Sequence, residues 1–113
     1  MKIQIISEGS TKFDYWKKKW GLSILIDEDV LYDTFCDWRF LKTDFEKLNI
    51  DIRQIKHIVL SHEHWDHTGG NKYECRFIEI TKSIPLKKDV FTSGEIEGTY
   101  NNQSIYEQSL IVK

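Results

Sequence analysis

The chain has 113 residues and a mass of 13.5 kDa, room for one small domain burying roughly two-thirds of the surface its unfolded chain would expose. With 40% hydrophobic and 30% charged residues, it falls among soluble globular proteins and outside the collagen-like, low-complexity and disordered classes. A net charge of −2 and a pI near 6.1 give no basic excess, so neither nucleic acid nor an anionic membrane is expected as a partner. The longest apolar runs, such as residues 22–26, are too short to span a bilayer. Residues 1–10 offer Ile3, Ile5 and Ile6 as large apolar side chains. That is no signal-peptide core, and a cytoplasmic location is expected. Cys36 and Cys75 are too few for a disulfide framework. Two reduced, mostly buried thiols are expected, with a thiolate metal ligand or a disulfide as the alternatives.

Pro85 is the one proline, and no linker or repeat interrupts the chain, so a single domain over residues 1–113 is expected. Residues 2–7 alternate as a strand, and the aromatic and basic residues 13–20 read as a surface loop. Residues 22–27 and 30–33 read as two strands of a hairpin around the acidic turn Asp27-Glu28-Asp29. Residues 37–48 have helical spacing. Trp38, Leu41, Phe45 and Leu48 fall three and four apart, Asp37 is placed to cap the start, and Asn49 is placed to close the end. Residues 55–61 are mostly apolar, as in a strand buried on both faces. Residues 76–80, 89–92 and 105–112 read as further strands. The pattern is α+β, mainly strands with one clear helix.

The chemistry concentrates after residue 61. Three of the four histidines, His62, His64 and His67, lie within six residues and interleave with Asp66. Imidazole and carboxylate ligands together suit zinc, and also iron, manganese or cobalt. His62 and His64, two apart at a strand end, can share one cation. Asp66 and His67, just past the turn, can face a second. Gly69-Gly70 would allow the chain to reverse and bring the two pairs together. The plain alternative is a solvated polar loop with accidental histidines. His57 shares a strand face with Val59 and Ser61, opposite to His62, and reads as structural.

The segment from Ile58 through His62-Glu63-His64-Trp65-Asp66-His67 to Gly70 resembles the His-x-His-x-Asp-His signature of the metallo-β-lactamase superfamily, which follows a buried strand. Leu31-Tyr32-Asp33-Thr34 resembles the family's strand ending in Asp-Thr-Gly, with Phe35 in place of the glycine. Residues 48–52 resemble the helix exit before the signature. Gly21-Leu22-Ser23, residues 92–96 and residues 107–112 resemble most the dihydropterin-ribofuranosylaminobenzene phosphate synthase-like branch.

The resemblance implies half of an αββα sandwich. It implies zinc, one or two ions, with iron or manganese as alternatives, held by His62 and His64 and by Asp66 and His67. Asp66 would also serve the catalysis, and Asp33 would orient a ligand. The implied activity is hydrolysis of an ester, amide or phosphoester-type small molecule by a metal-bound hydroxide. The family's site also uses downstream histidines and a bridging acidic residue in a fold of two similar halves. No histidine follows His67 here, so the missing ligands are expected from a homodimer or a partner chain. Glu95, Glu97 or water would be the local substitutes. A non-catalytic metal-binding or interaction module is the alternative function, and a truncated product without a role is the third reading. The aromatics Tyr15, Trp16, Trp20 and Trp65 either line an apolar mouth or belong to the surface or core.

Overall fold

The structure, a computed structural model, describes residues 1–70, 82–100 and 102–112. Cys75 and the strand expected over residues 76–80 lie outside them. The chain divides into two units, Met1–Tyr73 and Glu74–Lys113. The described residues are mostly strand with few helices, an α+β domain.

In the first unit, β1 (Ile3–Gly9), β2 (Gly21–Ile26), β3 (Val30–Tyr32) and β4 (His57–Val59) form one sheet in that order. The first three strands are antiparallel, and β4 runs parallel to β3. The hairpin expected between residues 22 and 33 is β2–β3, with Ile26 opposite Val30. Its turn begins at Asp27, which takes a left-handed φ of 53° and accepts the Lys2 N–H on its carboxylate at 2.9 Å. The register aligns Leu25, Leu31 and Ile58 on one face. Leu25 and Leu31 join Ile6, Leu41 and Phe45 in the core, with Trp38, Ile55 and Ile58 packed around it. Ile6 lies in a bulge between Ile5 and Ser7 and is part of that core.

Helix α2 (Trp38–Lys47) covers this face with Leu41 and Phe45. Asp37 caps it, accepting the Arg39 N–H at 2.8 Å. Asn49 closes it at a φ of 55°, with the Ile50 N–H returning to the Phe45 carbonyl at 3.0 Å. Leu48 is the exception to the expected apolar stripe: it sits at the C-cap and is 42% exposed. Ser7 ties β1 to α2 by donating its hydroxyl to Asp44 Oδ2 at 2.7 Å.

Several expectations need correction. Residues 13–20 are not wholly loop, because α1 (Lys12–Trp16) forms there. Thr11 and Asp14 make a reciprocal cap at its start, the Asp14 N–H reaching Thr11 Oγ1 and the Thr11 N–H reaching Asp14 Oδ2. The strand expected over 55–61 shortens to His57–Val59 and is not buried throughout, since it borders the sheet and leaves His57 exposed. A short 3-10 turn, Ile52–Gln54, precedes it.

In the second unit, β5 (Pro85–Lys87), β6 (Val90–Thr92) and β9 (Leu110–Val112) form one antiparallel sheet, and β7 (Ile96–Tyr100) pairs with β8 (Gln103–Glu107) as a hairpin. The strand expected over 105–112 is therefore two strands with different partners. A clamp marks the break: the Ser93 N–H donates to the Ser109 carbonyl at 2.8 Å, and the Ser109 N–H to Ser93 Oγ at 2.8 Å.

Candidate metal centre

The site is built where the parallel strands β3 and β4 end side by side. The ladder continues one residue past β3, with the Asp33 N–H donating to the Val59 carbonyl at 2.8 Å. Asp33 then turns into the left-handed region at φ 59°, and Phe35 follows at 63°. Ser23 Oγ donates to the Asp33 carbonyl at 2.7 Å, and the Phe35 N–H to the Leu22 carbonyl at 3.0 Å. The strand exit is thus locked onto β2. Phe35 explains its own departure from the family's glycine. The position requires positive φ, which glycine takes freely, and Phe35 accepts the strain while burying its ring to 3% exposure.

The helix α3 (Trp65–Thr68) carries Asp66 and His67. Helical periodicity cannot announce a four-residue helix, and the sequence pattern puts Asp66 and His67 only just past a turn. His64 caps it through the backbone, its carbonyl accepting the N–H groups of His67 and Thr68 at 2.9 and 3.0 Å. Thr34 fastens the other side, donating both its N–H and its hydroxyl to the His67 carbonyl at 2.7 and 2.8 Å.

Glycines let this helix approach backbone to backbone. A Cβ at Gly21 would stand 1.8 Å from the Asp66 carbonyl oxygen, one at Gly69 1.9 Å from that of Cys36, and one at Gly70 1.9 Å from that of Thr34. The Gly69-Gly70 pair was expected to reverse the chain. Gly69 instead has a right-handed helical φ of −64°, so its role is close approach.

Asp33 sits at the centre of the arrangement and is 1% exposed. Its Oδ1 accepts the Ser61 N–H at 2.7 Å, and its Oδ2 accepts the Ser61 hydroxyl at 2.7 Å. His67 Nδ1 lies 2.6 Å from the same Oδ2. Because a carboxylate only accepts, His67 carries a proton on Nδ1, and in its neutral form the ring keeps Nε2 as the ligating nitrogen. That Nε2 stands 3.6 Å from Asp66 Oδ2. The ring of His62 lies 4.3 Å from that of His67 and 4.5 Å from that of His64, centroid to centroid.

Among the described residues, ligand atoms of His62, Asp66 and His67 all lie within 4.8 Å of one another, each residue half-buried. His64 stands beside this group through its ring contact with His62. The expected division into a His62–His64 pair and an Asp66–His67 pair is less sharp in space, because His62 adjoins both. Two imidazoles and a carboxylate so gathered fit a divalent transition-metal ion. His57 is exposed on β4, outside the cluster.

In the sequence pattern Ser61 is only the end of a strand. The clue available was its position, a hydroxyl directly before the first histidine. Cys36 is a free, half-buried thiol. It accepts the Trp20 N–H at 3.4 Å and donates to the Lys18 carbonyl at 3.3 Å, and burial pushes its pKa up from 9.0. Tyr15, Trp16 and Trp65 lie on the surface, Trp65 at 54% exposure, while Trp20 is half-buried with its ring edge-on to Tyr15 at 5.6 Å.

Fold and site together define a cluster of two histidines and a carboxylate that could hold a metal ion, at the exit of a parallel strand pair. The chain belongs to the metallo-β-lactamase superfamily, whose model matches residues 21–108. It is similar to the 7,8-dihydropterin-6-methyl-4-(beta-D-ribofuranosyl)-aminobenzene-5'-phosphate synthase of Methanocaldococcus jannaschii, with 33% identity over 95 residues. The match covers 76% of this chain and 31% of that protein, so the chain spans about a third of the relative's length. No described helix is long and apolar enough to cross a membrane.

Proposed function

We propose that this chain carries the metal-holding half of a metal-dependent hydrolase, acting on an ester, amide or phosphoester-type small molecule and completed by a second chain. The observation that carries the reading is the convergence of His62, Asp66 and His67 within 4.8 Å, beside the His64 ring. His62, His64, Asp66 and His67 would hold the metal, zinc on the donor set, with iron or manganese as alternatives. When bound, such an ion polarises a substrate oxygen and acidifies a water. The chain's own contribution is positional. Asp33 fixes the His67 ring, α3 sets Asp66 and His67 on adjacent positions, and the half-burial of the group limits competing water. Asp66, half-buried in the same group, would take or orient a proton there. The similar synthase from Methanocaldococcus jannaschii is named for forming a phosphorylated dihydropterin–aminobenzene compound, which supports a small phosphorylated ligand of that kind at this site.

A metal-holding module without turnover is the second reading. It is favoured by the ligand supply, since the ligand atoms gathered among the described residues come from His62, Asp66 and His67. Elemental analysis of protein purified without chelator, paired with assays on generic ester and phosphodiester substrates, separates the two. The hydrolase reading expects about one metal per chain and weak turnover that disappears in His67→Ala. Bound metal with no turnover, even with a second chain supplied, selects the module. Protein that holds no metal and takes up no zinc on titration overturns both.

A further inference from the structure

We propose that Ser61 is a positioning residue that ties His62 to the same carboxylate that holds His67, so that Asp33 sets the orientation of two metal-binding rings at once. The inference rests on the metal-site reading above and adds a residue to it. Ser61 Oγ lies 2.7 Å from Asp33 Oδ2 and 2.8 Å from His62 Nδ1. The hydroxyl has a single proton, and the carboxylate has none to give, so that proton points at Asp33. What faces His62 is then the hydroxyl's lone pair, and His62 Nδ1 must be the donor. The same carboxylate oxygen accepts from His67 Nδ1 at 2.6 Å. The chain of donors therefore runs from His62 through Ser61 to Asp33, and from His67 directly to Asp33. Both rings carry Nδ1–H, and both are left with Nε2 as the ligating nitrogen.

The backbone separates Ser61's two roles. Its N–H holds Asp33 Oδ1 at 2.7 Å, and that bond survives loss of the side chain. Ser61 is 8% exposed, so bulk water does not readily replace the hydroxyl. Removing it should release His62 while leaving Asp33 and His67 in place. Removing Asp33 should release both rings. A purely structural serine would affect the two histidines alike or not at all.

The test uses the whole chain and reads the rings without metal. Nitrogen-detected NMR of the metal-free protein above the histidine pKa should show His62 and His67 both as the Nδ1–H tautomer. In Ser61→Ala, His62 should lose that preference and His67 should keep it. In Ser61→Thr, which retains the hydroxyl, His62 should regain it. Calorimetric titration with zinc should show affinity lowered about 10- to 100-fold in Ser61→Ala and restored in Ser61→Thr. An Nε2–H tautomer at His62 in the unaltered chain overturns the proposal, whether or not the alanine variant folds. Unchanged zinc affinity in folded Ser61→Ala, with His67→Ala abolishing binding, also overturns it and leaves the metal site standing. Failure of the unaltered chain to bind zinc overturns the metal-site reading instead, while the tautomer measurement still decides the hydrogen-bond chain.

Discussion

Asp33 gathers more of the site than any ligand does. Its carboxylate, 1% exposed, meets the Ser61 N–H, the Ser61 hydroxyl and the His67 ring. Asp33→Ala would strand these donors in a nearly dry pocket, at a cost of about 1–3 kcal/mol for each left unsatisfied. Metal affinity should fall about 10- to 100-fold in the fraction that remains folded; unchanged affinity by zinc titration would reduce Asp33 to a turn residue. Phe35 presents two opposed effects. Phe35→Gly would relieve a left-handed backbone strain of about 1–2 kcal/mol but remove a ring buried to 3% exposure, worth about 3–5 kcal/mol. Burial wins, so denaturant unfolding should find Phe35→Gly less stable, though by less than Phe35→Ala. An equal loss in both variants would mean that the backbone at Phe35 is unstrained.

At the scale of elements, α1 depends on its cap. No residue of α1 is buried, so the reciprocal bonds of Thr11 and Asp14 carry what packing does not. The Thr11 hydroxyl and backbone N–H hold the Asp14 carboxyl below its ordinary value of 3.8. A lowered carboxyl stabilises the fold fully above its unfolded pKa and loses that contribution as pH falls through the folded one. α1 should therefore be intact at neutral pH and fray below about pH 4, read from its amide resonances. Asp14→Asn should abolish the pH dependence, and an unaltered acid profile in that variant would assign the fraying elsewhere.

The legibility of each element follows from where its information lies. α2 shows in the sequence because Leu41 and Phe45 repeat at helical spacing between Asp37 and Asn49. The β2–β3 hairpin shows because two apolar runs flank an acidic turn. The candidate ligands His62, His64, Asp66 and His67 are legible because they lie within six residues of sequence. α1 and α3 are too short for periodicity, and their causes are a cap and three close backbone approaches. The break before β9 coincides with the polar run Glu107-Gln108-Ser109 between apolar residues, but the change of partner across it is set by pairing with distant strands. Ser61 is hidden for a related reason: its role comes from Asp33, 28 residues away in sequence.

At the scale of the whole molecule, the sheet of the first unit has two faces and α2 covers one. On the other, the register aligns Ile3 with Ile26 and Val30, which are buried, and Ile5 with Ile24 and Tyr32, which are half-buried. Ile3 and Ile5 are 60% and 61% exposed, on a strand at the edge of that sheet. Adjacent exposed isoleucines on an edge strand are an unusual surface for a chain that remains alone in solution. The simplest closure is a two-fold pairing of identical copies through β1. Sedimentation should therefore find a dimer, and Ile3→Lys combined with Ile5→Lys should shift it to monomer without unfolding it, because neither side chain belongs to the core of Ile6, Leu25, Leu31, Leu41 and Phe45. The pairing brings no histidine beyond the set each copy already holds, so the dimer should bind about one metal per chain and turn over generic esters and phosphodiesters weakly. A stable monomer of the unaltered chain would refute the pairing. Efficient metal-dependent turnover by that monomer, lost in His67→Ala, would place a complete active site within one chain.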